Sequence, residues 1–339
     1  MSREPDIASK AAYRSNSRIA AIGTYLPDNV MTNADLEKLV DTSDEWIVQR
    51  TGIRERRISA PHQYTSDLAY RAVADLASRY DVQLDDVDYI IVATSTPDTI
   101  FPSIAAGIQA RFGIAQCGAI DIQAACAGFT AGLQLANGLL MTGLHHKILV
   151  VGADALSKIT DYTDRTTCIL FGDGAGAVLV ERTADGEGDF LASFARTDGN
   201  GGRHVYASHL SSRIGEYDLV PSGKLVQNGR EVYRWALSSV SEGISELLES
   251  AGLAAHQVDW FAPHNANQRI IEALCERCGF TEDQALSSIA KYGNTSAASI
   301  PLAMDDGVKD GRLQAGHLVL LHGFGGGLTQ AGVILRWSI

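Results

Sequence analysis

The chain lacks what would take it to a membrane, to nucleic acid or into a disulfide framework. Its 339 residues contain no run of 18 consecutive apolar residues, so no membrane-spanning helix is expected. Basic residues are the minority: 28 Lys and Arg stand against 40 Asp and Glu, a net charge of −12. No basic stripe dominates, which argues against a nucleic-acid binder. Only five cysteines occur, at the irregular positions 117, 126, 168, 275 and 278; an odd, scattered set is not a disulfide framework. Proline is scarce, 8 residues against 33 glycines, so backbone freedom sits in glycine clusters. The polar opening MSREPDIASKAAYRSNSR has no apolar signal core. Residues 1–17 are expected to form a disordered lead-in ahead of a cytoplasmic domain.

What is present is an internal duplication. Val87-Asp-Tyr-Ile-Ile-Val-Ala93 resembles Val258-Asp-Trp-Phe-Ala-Pro263, an offset of 171. Ile148–Val151 resembles Leu318–Leu321 at 170, and Phe171–Gly174 resembles Phe324–Gly327 at 153. The first half should therefore carry about 17 extra residues around Ser157–Leu170. These short, non-alternating apolar runs suit strands buried on both faces. They alternate with helix-length segments, which predicts mostly parallel sheets covered by helices. At roughly 150 residues per domain the length fits two such halves, 18–185 and 186–339.

Few residues could carry chemistry. Cys126 sits among small residues (Ala124, Ala125, Ala127, Gly128) where a strand-like run gives way to a helical pattern. A helix N-terminus favours thiolate, although a buried structural Cys reads equally well on this segment. His264 follows the strand-like Trp260–Pro263, at the carboxyl end where α/β sheets gather ligands. Asn294 alone reads as a helix N-cap. The repeat, however, carries Cys126 onto Ser296–Ala297, so Asn294 precedes the helix start that mirrors that of Cys126. Gly323-Phe-Gly-Gly-Gly327 offers backbone N–H groups to an oxyanion and matches no phosphate-loop pattern. Cys275-x-x-Cys278 has no second Cys or His pair to complete a zinc site, and no metal is expected.

Taken together, several stretches resemble the beta-ketoacyl-(acyl carrier protein) synthase III family of thiolase-like condensing enzymes. They are Thr32–Glu37, Asp41–Arg56 with its Trp46 and Arg50, Ala124–Thr130, Phe171–Ala177, Pro263–Asn267, Gly293–Ser299 and Phe324–Gly327. The resemblance implies a layered α-β-α-β-α fold of two duplicated halves. It makes Cys126 the acyl-accepting nucleophile, completed by His264 and Asn294. The backbone N–H groups of Cys126 and Gly326 would form the oxyanion hole, and Phe324 would be the gating aromatic. Trp46, Arg50, Arg165, Gly229, Tyr233 and Asn267 would bind coenzyme A. Phe101 marks the acyl pocket closed by the partner of a homodimer. Asn265 departs from the usual Gln.

The implied reaction is decarboxylative Claisen condensation of a short-chain acyl-CoA with malonyl-acyl carrier protein, initiating fatty acid synthesis. It needs no cofactor, coenzyme A entering as substrate. An acidic chain docking an acidic carrier protein needs a local basic patch, for which Arg230, Arg234, Arg269 and Arg277 are the candidates. The rival readings are a related condensing enzyme of specialised metabolism, a Cys-His-Asn thioesterase and an inactive scaffold.

Overall fold

The computed structural model describes residues 15–339. Most of the expected lead-in, residues 1–14, lies outside the described residues. Its last residues belong to the fold: Ser15 is buried and its Oγ donates to Asn137 Oδ1 at 2.7 Å, and Ser17 opens the first strand.

Two sheets form the frame. The first contains β1 (Ser17–Tyr25), β2 (Tyr89–Ala93), β3 (Gly118–Ile122), β4 (Lys147–Ala155) and β5 (Asp173–Arg182), in the order β1-β5-β4-β2-β3. The second contains β6 (Phe190–Thr197), β7 (Trp260–Pro263), β8 (Leu318–Gly325) and β9 (Thr329–Arg336), in the order β6-β9-β8-β7. Strand for strand the orders match, and an isolated parallel bridge, Phe261 to Ala285, stands where β3 stands in the first sheet.

The duplication is in the backbone, with a more regular register than residue matching alone indicates. Tyr89 pairs with Ile148, and Trp260 with Val319, so β2/β7 and β4/β8 share an offset of 171 (260 − 89 and 319 − 148). Val150 pairs with Val178, and Leu321 with Val333, which sets β5/β9 at 155 (333 − 178). The insertion is therefore 16 residues (171 − 155), and the expected offsets of 170 and 153 are corrected. Phe324 corresponds to Ala153, not to Phe171. A Phe-Gly run has no side-chain period by which sequence alone could fix its register.

The sheets are mixed rather than mostly parallel. β4–β2 and β2–β3 are parallel, as is β7–β8, while every pairing of β5 and β9 is antiparallel. Only residues 326–328 link β8 to β9. A link that short closes a hairpin and cannot make a parallel crossover.

Helices complete five layers. α1 (Thr65–Tyr80) buries Leu68, Ala69, Ala72, Val73 and Leu76, one face at helical spacing, against the first sheet. α3 (Ser241–Ala251), preceded by a π turn over Ala236–Val240, covers the second sheet at the equivalent place. α2 (Gly128–Met141) and α5 (Ser299–Lys309) touch both sheets and form the central layer. α4 (Gln268–Cys278) lies outside with α3. It carries Cys275 and Cys278 as ordinary helix residues; among the described residues no cluster suited to a metal ion occurs. Nor is any described helix long and apolar enough to cross a membrane.

Candidate active site

The two central helices begin at equivalent turns. Ala125–Ala127 precedes α2, and Ser296–Ala298 precedes α5. Ala125 (φ 45°) and Ser296 (φ 52°), 171 residues apart, hold the left-handed conformation that non-glycine residues rarely adopt. This sharp reversal presents Cys126 to a cavity of about 1640 Å³ that His264, Asn294, Ser296 and Phe324 also line. The repeat therefore brings together the three residues expected to act together.

Each is fixed from the opposite side. The His264 N–H donates to His322 O at 2.9 Å, and His264 Nδ1 meets Ser299 Oγ at 2.7 Å. Asn294 Oδ1 accepts the Ser296 N–H at 2.9 Å, which leaves the amide Nδ2 as its donor end. Its backbone is bracketed by the insertion: Asn294 N–H donates to Leu170 O at 2.8 Å, and Gly172 N–H to Asn294 O at 3.0 Å. Phe324 is buried and meets the His264 ring edge-on, centroids 5.2 Å apart.

Electrostatics revise one expectation. Burial pushes the Cys126 thiol up to about 12, with the Asp154 charge adding to it and a Ser296 hydrogen bond opposing. Loss of hydration outweighs the helix-terminus effect, which favours the Cys126 thiol over the thiolate. Burial also holds His264 far below its ordinary value, to about 3. The ring is neutral at all physiological pH.

Gly325 abuts Cys126: a Cβ there would stand 2.9 Å from Cys126 N and 3.2 Å from Sγ. The β8–β9 ladder ends at the pair Gly325–Thr329, so the Gly326 N–H lies beyond it, at the cavity wall.

From Cys126 the cavity reaches the surface past Thr166, Trp46, Arg50, Asn267, Gly229 and Tyr233. The Arg165 guanidinium lies 5.3 Å from the centre of the Trp46 ring, and that of Arg50 lies 5.6 Å from it. Asn267 Oδ1 caps α4 through the Arg269 N–H, and its Nδ2 donates to Arg50 O at 3.2 Å. Ile100 and Tyr206–Leu210 line the cavity, whereas Pro102–Gly107 do not. Phe101 is 82% exposed and forms no part of the lining within one chain.

The four arginines divide. Arg230 lines the cavity, and neither it nor Arg269 has an ion-pair partner among the described residues. Arg234 is paired with Glu231 at 2.9 Å, and Arg277 donates to Leu237 O at 3.0 Å. The departure at Asn265 is a buried tie, accepting the Ser288 N–H at 2.6 Å and donating to Pro263 O at 2.8 Å. Sequence reasoning missed Asp154, Gly325 and Ser299. Gly325 and Ser299 lie within runs that carry the resemblance, and the 171-residue offset makes Asp154 the counterpart of Gly325 (325 − 154), but neither signal names the contact each residue makes.

Two duplicated sheets packed on a central pair of helices that begin at equivalent turns define the thiolase-like class of layered α/β enzymes. Two family models match the chain: 3-oxoacyl-[acyl-carrier-protein (ACP)] synthase III over residues 120–199 and its C-terminal part over 248–337. A Bacillus subtilis protein named beta-ketoacyl-[acyl-carrier-protein] synthase III 2 is 57% identical over 96% of this chain and 100% of that protein. The crystal structure of a Thermus thermophilus synthase III superposes with a TM-score of 0.91 at 46% identity, covering 95% of this chain and 99% of that one. The priming beta-ketosynthase of the R1128 polyketide pathway does so at 0.88 and 34%, covering 97% and 98%. The chain belongs to the beta-ketoacyl-[acyl-carrier-protein] synthase III family.

Proposed function

We propose that this protein condenses a short-chain acyl-CoA with malonyl-acyl carrier protein, giving a 3-oxoacyl-carrier protein and CO2 as the first elongation of fatty acid synthesis. The observation that carries the reading is the convergence of Cys126, His264 and Asn294 on one surface-connected cavity.

The chemistry runs in two stages, as expected of a covalent acyl-enzyme. Cys126 Sγ attacks the thioester carbonyl, the N–H groups of Cys126 and Gly326 hold the oxyanion, and the thiol proton leaves on the CoA sulfur. The acyl group stays on Cys126. Malonyl-carrier protein then enters; its carboxylate departs as CO2, and negative charge builds on the thioester oxygen. His264 and Asn294 Nδ2 donate to that oxygen, each such donor being worth about 3 kcal/mol. The carbanion attacks the acyl carbonyl, the C–S bond to Cys126 breaks as product forms, and the Cys126 sulfur takes a proton from water. Every step balances with coenzyme A as a substrate and without a redox partner.

The neutrality of His264 favours condensation over thioester hydrolysis. A hydrolase needs its histidine to take a proton from water, and burial opposes that here. Trp46 and Arg165 would sandwich adenine; they already face each other and must part to admit it. Arg50, Asn267, Gly229 and Tyr233 would wall the pantetheine arm, and Phe324 would gate it. The exposed Ile100–Phe101 tip, 70% and 82% accessible, would be covered by the second subunit of a homodimer, closing the acyl pocket. The likeness to a polyketide priming ketosynthase supports a specialised-metabolism relative as the second reading, differing in acyl group rather than in chemistry. A cytoplasmic location suits a carrier-protein substrate.

The test is intact-mass spectrometry after incubation with a panel of acyl-CoAs. An acyl mass gain that disappears in Cys126→Ala names nucleophile and primer together; full acylation of that variant would refute the assignment. CO2 release dependent on malonyl-carrier protein separates condensation from hydrolysis.

A further inference from the structure

We propose that Ser299 is a positioning residue, whose hydroxyl donates to His264 Nδ1 and holds the ring in the tautomer that turns Nε2–H toward the cavity. The inference rests on the condensing role of His264 argued above.

His264 lines the cavity and Ser299 does not. The ring edge at Nδ1 is engaged by Ser299 Oγ at 2.7 Å, in a buried contact, so Nε2 is the nitrogen left for a substrate. Two neutral tautomers are open to an imidazole, and the partner of one nitrogen selects what the other presents. Ser299 Oγ also accepts the Asn265 N–H at 3.3 Å. If it accepted a second proton from Nδ1–H, its own hydroxyl proton would be left without an acceptor among its bonds to the described residues, in a residue only 1% exposed. Donation from Oγ to Nδ1 satisfies both groups and places the proton on Nε2.

The clamp is itself rigid. Asn265 is tied to Pro263 O and the Ser288 N–H, and Ser299 opens α5. Its repeat counterpart, 171 residues earlier, is Gly128, which has no hydroxyl to offer. The device therefore belongs to the copy that holds the histidine. In the other tautomer a nitrogen lone pair would face the enolate oxygen and repel it. Acyl transfer to Cys126, which does not use the His264 proton, would be indifferent.

Nitrogen NMR of 15N-histidine-labelled protein, with His264 assigned through His264→Asn, reads the tautomer directly in the intact enzyme. A pyridine-type Nδ1 and a protonated Nε2 are expected; protonated Nδ1 overturns the proposal even if no variant folds. In Ser299→Ala the condensation step should fall about tenfold to a hundredfold while Cys126 acylation stays within about twofold, with Ser299→Thr, which keeps the hydroxyl, recovering the loss. Equal loss in both half-reactions, or a Thr variant no better than Ala at equal Tm, overturns it. Failure of native Cys126 to accept any acyl group would instead defeat the functional reading beneath it.

Discussion

The Ala297 N–H donates to Asp154 Oδ2 at 3.3 Å, while its repeat counterpart, the Cys126 N–H, faces Gly325, the counterpart of Asp154. In the second copy a carboxylate oxygen sits on this N–H. In the first copy the same place is empty of side chain, and a substrate oxyanion can take it. This asymmetry supports the assignment of the Cys126 N–H to the oxyanion hole and gives Gly325 a reason.

Gly325→Ala tests it. The added Cβ would stand 2.9 Å from Cys126 N and 3.0 Å from its Cβ. The turn must shift, and acylation should fall about a hundredfold, the scale of losing an oxyanion donor. Stopped-flow acylation beside a melting curve checks it; full activity would show that the turn tolerates the methyl.

Asp154 holds the mirror turn. Its Oδ1 takes the Ser95 N–H at 2.7 Å and the hydroxyls of Thr94 and Thr96 at 3.1 and 3.0 Å. Asp154→Asn would set an amide donor against the Ala297 N–H and should cost about 1–3 kcal/mol of stability. Because the adjacent Ser296 N–H holds Asn294 Oδ1, condensation should weaken with it. Urea unfolding and condensation assays unchanged from wild type would remove this role.

With the thiol pushed up to about 12, alkylation of Cys126 by iodoacetamide should keep rising from pH 7 to about pH 9.5, since only the thiolate reacts. A plateau below pH 7 would mean that the helix start prevails over burial.

Stability should fall on acidification. His264 and His322 are held by burial at about 3 and about 4, from an ordinary 6.5. Between those values the unfolded chain binds more protons, so each histidine removes up to about 1.4 kcal/mol per pH unit as pH drops below 6.5. His322→Asn should flatten the dependence of the urea midpoint between pH 6.5 and 4.5; an unaltered slope counts against the assignment.

Arg269→Glu and Arg230→Glu should raise KM for the carrier protein more than for acyl-CoA, most clearly at low salt. Equal effects on the two substrates would dismiss the docking patch. Arg234→Glu and Arg277→Glu should do less, since both side chains are already engaged.

Much of the site was legible because its residues stand in dense local runs. Ala124–Thr130, Pro263–Asn267 and Gly293–Ser299 each identify a turn between strand and helix, and the 171-residue repeat brings the first turn to face the last. What the runs conceal is environment. The helix start beside Cys126 suggested a thiolate, and only the closed packing of α2 and α5 between the sheets reverses that. Composition sets Phe324 against Phe171, whereas the hydrogen-bond ladder sets it against Ala153, since register lives in the ladder.

The sequence by itself determined the duplication, the alternation of strands and helices and the turns at which Cys126, His264 and Asn294 stand, because spacing and residue type are local and survive as a linear record. Tertiary structure alone decided that Asp154 fills one copy's turn while Gly325 clears the other, and that Ser299 meets His264. These are contacts between residues 35 to 199 positions apart, and no local pattern encodes which distant side chain will arrive in a low-dielectric interior, where one hydrogen bond or one lost hydration shell sets the charge state of a reacting group.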